Sequence, residues 1–178
     1  MNPLATAEEP RKKMSSSTPE VLTAAVLTVS DSSSRGQRDD LSGPAVADAL
    51  ARRRFQVVAR EVVPDEKEQI SSALVRLAAK ARLVVTTGGT GIAERDVTPE
   101  ATKAVCDRLL EGVAERMRLE GAKQTPFAAL SRGLCGVKGK AIILNVPGSP
   151  RGSVESLEAV IELFPHALQL LSGDTSHG

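Results

Sequence analysis

The chain has 178 residues, a formal net charge of +1 and 25% charged residues. That length is enough for one well-buried domain, hiding about 70% of its unfolded surface, and the near-neutral balance argues against a basic nucleic-acid binder or an acidic solvating tail. With no Trp, no Tyr and three Phe, it lacks the aromatic platforms on which single-stranded bases stack, so the expected partner is a small molecule rather than nucleic acid.

Residues 1–20, rich in Pro, Ser, Glu and Lys, read as a disordered tail, with no apolar run of signal-peptide length after Arg11–Lys13. The domain is expected to span 21–172, with a flexible tail at 173–178. TAAVLTVSD is near-continuously apolar, as in a buried parallel strand, and ends in Ser30 and Asp31. After the polar SSSRGQRDDLSG loop, SGPAVADALARRR reads as a helix with Ser42 near its N-cap and Pro44 in its first turn. FQVVAREVV reads as a second strand, and PDEKEQISSALVRLAAKA as a helix with Ile70, Leu74 and Leu77 at helical spacing. RLVVTT is a short β-branched third strand. Thr98 and Pro99 open a helix predicted over PEATKAVCDRLL, and another covers GVAERMRLEGAK. A short strand or turn then precedes the strong strand KAIILNV, and helices at SVESLEAVIELF and HALQLLS close the chain. Alternating strands and helices in this order predict a three-layer α/β domain with a mainly parallel sheet. Ligands of such sheets bind beyond the carboxyl ends of the strands, which nominates Ser30–Asp31, Gly88–Gly91 and Asn145–Ser149.

No run is long enough to span a membrane. Cys106 and Cys135 lack metal-ligand spacing and read as reduced thiols of a cytoplasmic protein. His166 and His177 have no partner suggesting a metal site or a triad.

Gly88, Gly89 and Gly91 allow backbone amides to approach an anion, and Thr90 adds a hydroxyl, although neither GxxxxGK[ST] nor GxGxxG is present. By itself the stretch fits an ordinary tight turn or an anion cradle. Asp96 fits a helix-end charge or a carboxylate facing the same crevice; Arg95 can neutralise it or touch a phosphate. Asp65 and Glu68 have the spacing of a capping box, yet Asp65 also lies at a strand exit. If Asp65 and Asp96 converge, they repel unless they share a cation, and Mg²⁺ held by one or two carboxylates plus substrate phosphates removes that conflict. NVPGSPRGS offers Ser149, Arg151 and the capping candidate Ser153, either as an anion site or as an ordinary strand-to-helix connection.

Taken in order, TVSD, DLSG, VPDE, TTGGTG, RDVTPEAT, LSRG and NVPGSP resemble the molybdopterin-binding family of molybdenum cofactor biosynthesis, and are most similar to its MogA-type adenylyltransferases. The resemblance runs from about residue 22 to 172. It implies a three-layer α/β fold, usually a homotrimer, that transfers AMP from ATP to the terminal phosphate of molybdopterin, with Mg²⁺ present and pyrophosphate released. The product then passes to a molybdate-inserting protein. The family's two important aspartates fall on Asp65 and Asp96, implied to be catalytic and to hold Mg²⁺. Gly88, Gly89, Thr90 and Gly91 match the nucleotide phosphate site, and Ser30, Asp31, Asp40, Ser42 and Gly43 the nucleotide side. Ser131, Arg132, Pro147, Gly148 and Ser149 resemble the molybdopterin side. The sister MoaB branch of some bacteria departs from these aspartate motifs, so their retention favours an enzyme over a non-catalytic molybdopterin-binding or scaffold trimer. The basic, Ser-rich N-terminal extension, with Met14 as an alternative start, lies outside the family pattern.

Overall fold

A computed structural model describes residues 21–173; the tails expected at 1–20 and 173–178 lie outside the described residues except for Gly173. One six-stranded sheet, in the order β2-β1-β3-β6-β5-β4, is formed by β1 (Thr23–Val29), β2 (Gln56–Val63), β3 (Leu83–Thr87), β4 (Arg108–Leu109), β5 (Cys135–Lys138) and β6 (Ala141–Val146). β2, β1, β3 and β6 are mutually parallel, and β5 is antiparallel to both β6 and β4. The helices are α1 (Asp31–Ser34), α2 (Ser42–Arg52), α3 (Lys67–Ala78), α4 (Thr98–Val105), α5 (Glu111–Ala122), α6 (Pro150–Glu158) and α7 (Phe164–Ser172).

Alternate residues of the central strands feed two cores, as the two-residue period of a strand requires. Val26, Val85 and Leu144 pack with α2, α5, α6 and α7 around Leu50, Met117, Leu157 and Phe164. Leu27, Val84 and Ile143 pack on the other face against Ile70, Leu74 and Leu77 of α3 and Ala101 of α4. This is the expected three-layer arrangement. β2 is one of the two edge strands, and its exposure alternates more regularly than its sequence suggests, with Val58 and Val62 turned outward.

Two expectations are corrected in the second half. The helix predicted over residues 99–110 stops at Val105, because Cys106 is extended and Asp107 turns the chain into β4, its amide donating to the Val137 carbonyl at 2.8 Å. The helix predicted to start at Ser153 starts at Pro150. Ser149 is its N-cap, accepting from the Gly152 amide at 3.1 Å, while Ser153 is buried and donates to the Pro150 carbonyl.

β1 leads into α2 on one face, whereas β3 leads into α4 on the other. Their carboxyl ends therefore flank a point where successive connections diverge, which opens a crevice at that edge of an α/β sheet. Register brings the three strand exits level: Thr28 pairs with Thr87, and Thr87 with Val146.

Candidate active site

The crevice is built from those exits. Two cavities lie there. The first, about 470 Å³, is lined by Ser30, Arg38, Asp40, Ser42, Asp65 and Gly88 among others. The second, about 580 Å³, is lined by Thr90, Gly91, Asp96, Phe127, Ser131 and Pro147 among others. Gly89, Gly148 and Ser149 border both. Asp65 and Asp96 thus occupy opposite sides of one glycine partition.

The partition needs glycine for steric reasons. Gly88 has φ +100° and Gly89 φ +64°, a region side chains rarely adopt. A Cβ on Gly88 would lie 2.2 Å from the Val29 carbonyl oxygen, and one on Gly148 would lie 3.2 Å from the Gly88 Cα. Two backbones are in van der Waals contact here with no side chain between them. Threonines tie them down: Thr98 Oγ1 donates to the Gly88 carbonyl at 2.9 Å and Thr87 Oγ1 to the Pro147 carbonyl at 2.8 Å. Thr98 therefore secures the turn instead of capping α4, whose N-cap is Val97. The amides of Gly89, Thr90 and Gly91 donate no hydrogen bond among the described residues, so they are available to an anion as an anion cradle requires.

Asp65 is not a helix cap; α3 begins after Glu66 and its N-cap makes no side-chain bond. The β1–β2 register pairs Val29 with Val63, which sets Asp31 and Asp65 two residues beyond the sheet on neighbouring strands. The Asp31 amide donates to Asp65 Oδ2 at 2.9 Å, and the Asp65 amide donates to Asp31 Oδ1 at 3.1 Å. Asp65 Oδ1 accepts no hydrogen bond among the described residues. Burial pushes the Asp65 carboxyl above the usual carboxylate range; the bond from the Asp31 amide opposes the rise, the charges of Asp31 and Asp96 add to it, and Arg95 subtracts. The hydrogen bonds from Arg95 hold the Asp31 carboxyl below that range.

Asp96 Oδ2 accepts from the Ala93 amide at 3.0 Å, closing its own loop. Arg95 turns away from Asp96 and grips Asp31 with Nη2 at 2.8 and 2.7 Å and Nε at 3.2 Å.

Asp40, Ser42 and Ser30 line the first cavity. α2 has Leu41 as its N-cap, with no side-chain cap bond; Asp40, just before it, accepts from the Gly43 amide at 2.8 Å and from Thr28 Oγ1 at 2.8 Å. Asp31, Gly43 and Arg132 line neither cavity. The Asp31 carboxylate is taken by Arg95, and Gly43 is pressed against Asp40. Arg132 braces the glycine loop, its guanidinium donating to the Gly91 carbonyl at 2.7 Å, to the Asp96 carbonyl and to Glu100. Arg151 is paired with Glu155.

Sequence reasoning missed Arg38 and Asp39 on the rim of the first cavity, and Ile92, Phe127 and Leu130 on the second. These three apolar side chains are 72%, 74% and 51% exposed, giving the second cavity a greasy mouth. The available signal was Phe127 itself, one of three aromatic residues in the chain and outside any apolar periodicity.

A family described as "Probable molybdopterin binding domain", of molybdenum cofactor biosynthesis, matches residues 25–166. The chain is 42% identical over 153 residues to a protein named molybdopterin adenylyltransferase from Helicobacter pylori J99, covering 84% of this chain and 87% of that one. It is 37% identical over 165 residues to the Escherichia coli K12 protein of the same name, covering 83% and 84%. Among solved structures, the molybdopterin biosynthesis enzyme MoaB of Thermus thermophilus superimposes with a TM-score of 0.80 at 50% identity, covering 85% of this chain and 97% of that one. By fold, by the strand-exit cavities and by these similarities, the chain belongs to the molybdopterin-binding domain family of molybdenum cofactor biosynthesis.

Proposed function

We propose that the chain is a molybdopterin adenylyltransferase that transfers AMP from ATP to the terminal phosphate of molybdopterin, releasing pyrophosphate. The observation that carries this reading is a pair of cavities meeting at Gly89, Gly148 and Ser149, with Asp65 on one side and Asp96 on the other. Two phosphate-bearing substrates can approach such a partition from opposite sides, which suits transfer between them. ATP is assigned to the Asp65 side, where Ser30, Asp40 and Ser42 lie, and molybdopterin to the Asp96 side, where Ser131, Pro147 and the apolar mouth lie.

The residues fit Mg²⁺ brought in with the triphosphate. Asp65 Oδ1 lacks a hydrogen bond among the described residues, and burial first, then the neighbouring charges of Asp31 and Asp96, raise the pKa of its carboxyl. No cluster of three or more His, Cys, Asp or Glu side chains suited to a metal occurs among the described residues, which suits an ion that keeps waters and relies on substrate phosphates for most of its ligands. Asp65, and Asp96 across the partition, would hold it, and it would neutralise phosphate charge there. The free amides of Gly89, Thr90 and Gly91 donate to phosphoryl oxygens as negative charge builds on them, and Arg132 keeps that loop in place. A phosphate nucleophile is already anionic at neutral pH, so the chain need not supply a general base. Assembly as a homotrimer, a cytoplasmic setting and hand-over to a molybdate-inserting protein complete the proposal.

The test incubates the protein with molybdopterin, ATP and Mg²⁺ and measures pyrophosphate and adenylylated pterin. Asp65→Ala and Asp96→Ala are each expected to cut turnover at least about 100-fold. Turnover unchanged in both removes their assigned roles; wild-type binding of molybdopterin without turnover identifies a non-catalytic binding protein.

A further inference from the structure

Loop 91–97 carries Asp96, and α1 begins at Asp31 beside Asp65. Among the hydrogen bonds of the described residues, Arg95 is the one link between that loop and the exit of β1. Its guanidinium reaches both oxygens of Asp31, and Asp31 exchanges hydrogen bonds with Asp65 through both their amides. The Arg35 guanidinium stays 3.8 Å from the Asp31 carboxylate, a charge neighbour that makes no side-chain hydrogen bond; its amide donates to the Asp31 carbonyl at 3.3 Å within α1.

We propose that Asp31 and Arg95 form a clamp that fixes Asp65 and Asp96 relative to each other across the glycine partition. Arg95 is then a positioning residue rather than a phosphate ligand, and Asp31 holds Asp65 rather than the nucleotide. The inference rests on the adenylyltransferase reading for the meaning of the two aspartates, while the clamp itself is a matter of hydrogen bonds. Fork-to-fork Arg–carboxylate contacts fix orientation as well as distance. An exposed pair of this kind adds little to stability, whereas a catalytic group displaced by about 1 Å can lose about 100-fold in rate. The clamp should therefore be visible in turnover and invisible in melting.

Arg95→Gln and Asp31→Asn are each expected to lower kcat about 10- to 100-fold. KM for ATP and molybdopterin should stay within about twofold and Tm within about 2 °C. The double variant should be no slower than the slower single one, because both remove the same contact. Arg95→Lys should recover part of the rate, and Arg35→Gln should match the wild type. Amide hydrogen exchange of Asp65 and of residues 91–97 should accelerate in Arg95→Gln. Unchanged kcat, multiplying effects in the double variant, or a rise confined to the KM for ATP overturns the clamp, the last by making Arg95 a substrate ligand. If the wild type makes no adenylylated product, the functional reading fails and exchange alone decides: acceleration upholds the clamp, and unchanged exchange overturns it.

Discussion

Asp31 and Asp65 each accept a hydrogen bond from the other's amide, so two negative side chains face one another where adjoining strands end. The compensation is unequal: Arg95 serves Asp31, and Asp65 is left half-buried with its pKa raised. An aspartate whose pKa is higher in the folded chain than in the unfolded one destabilises the fold wherever it is ionised. The penalty is complete above the raised value and vanishes below the ordinary 3.8. Asp65→Asn keeps an oxygen for the Asp31 amide and removes the charge. It is expected to raise Tm by about 1–2 °C at pH 7, a small gain because the site is partly screened by water, and thermal melts should show the gain fading as pH falls toward 3.8. Asp31→Asn should show no comparable pH-dependent gain, since the Asp31 carboxyl is open to solvent and its lowered pKa comes from a solvent-screened pair with Arg95. The sequence spacing of Asp65 and Glu68 pointed to a cap because capping is a local pattern. The bond Asp65 makes is to a residue 34 positions away, and only strand register could reveal it.

Beneath the glycine partition, β3, β6 and α4 are joined by a buried polar knot. Asn145 Nδ2 donates to Thr86 Oγ1 at 3.0 Å and Thr102 Oγ1 at 2.9 Å, and its Oδ1 accepts from the Leu134 amide at 3.1 Å. All three side chains are fully buried. Asn145→Ala leaves those groups unpaired and opens a void, at an expected cost of about 2–4 kcal/mol. A denaturant melt should register that loss as a lower midpoint with an unchanged slope. Elements whose pattern is set locally were legible in the sequence: β1, β3 and β6 from apolar runs, and α2 and α3 from 3.6-residue spacing. β4 was not, since two residues carry no period and exist as a strand only because β5 supplies partners. The start of α6 was misplaced for a related reason: Ser153 was read as the cap, and only the neighbouring turn shows that the chain enters the helix at Ser149.

Across the whole molecule, the site motifs come from segments spread over more than a hundred residues, and parallel register gathers them at one sheet edge. Residue pattern could name the strand exits, and only the family resemblance divided them between a nucleotide and a molybdopterin side, because side-chain identity does not say on which side of a turn a residue falls. The division has a measurable counterpart. Arg38→Ala is expected to raise KM for ATP by about fivefold and leave KM for molybdopterin unchanged, and Phe127→Ala to do the reverse, each the loss of about 1 kcal/mol of contact. Initial-rate measurements varying one substrate at a time will separate the two. Crossed or shared effects would mean that the substrates are assigned to the wrong sides.

Where Gly148 lies against Gly88, the wall between the cavities is only two backbones thick and carries no side chain. Its outer boundaries, from Arg38 to Ser42 on one side and from Phe127 to Ser131 on the other, are made of ordinary side chains. Heritable variation can therefore reshape either chamber's preference for its occupant one substitution at a time, whereas the wall tolerates almost none. A lineage that changed its nucleotide would leave its pterin chamber intact, and the distance between the reacting phosphates would stay fixed throughout that change.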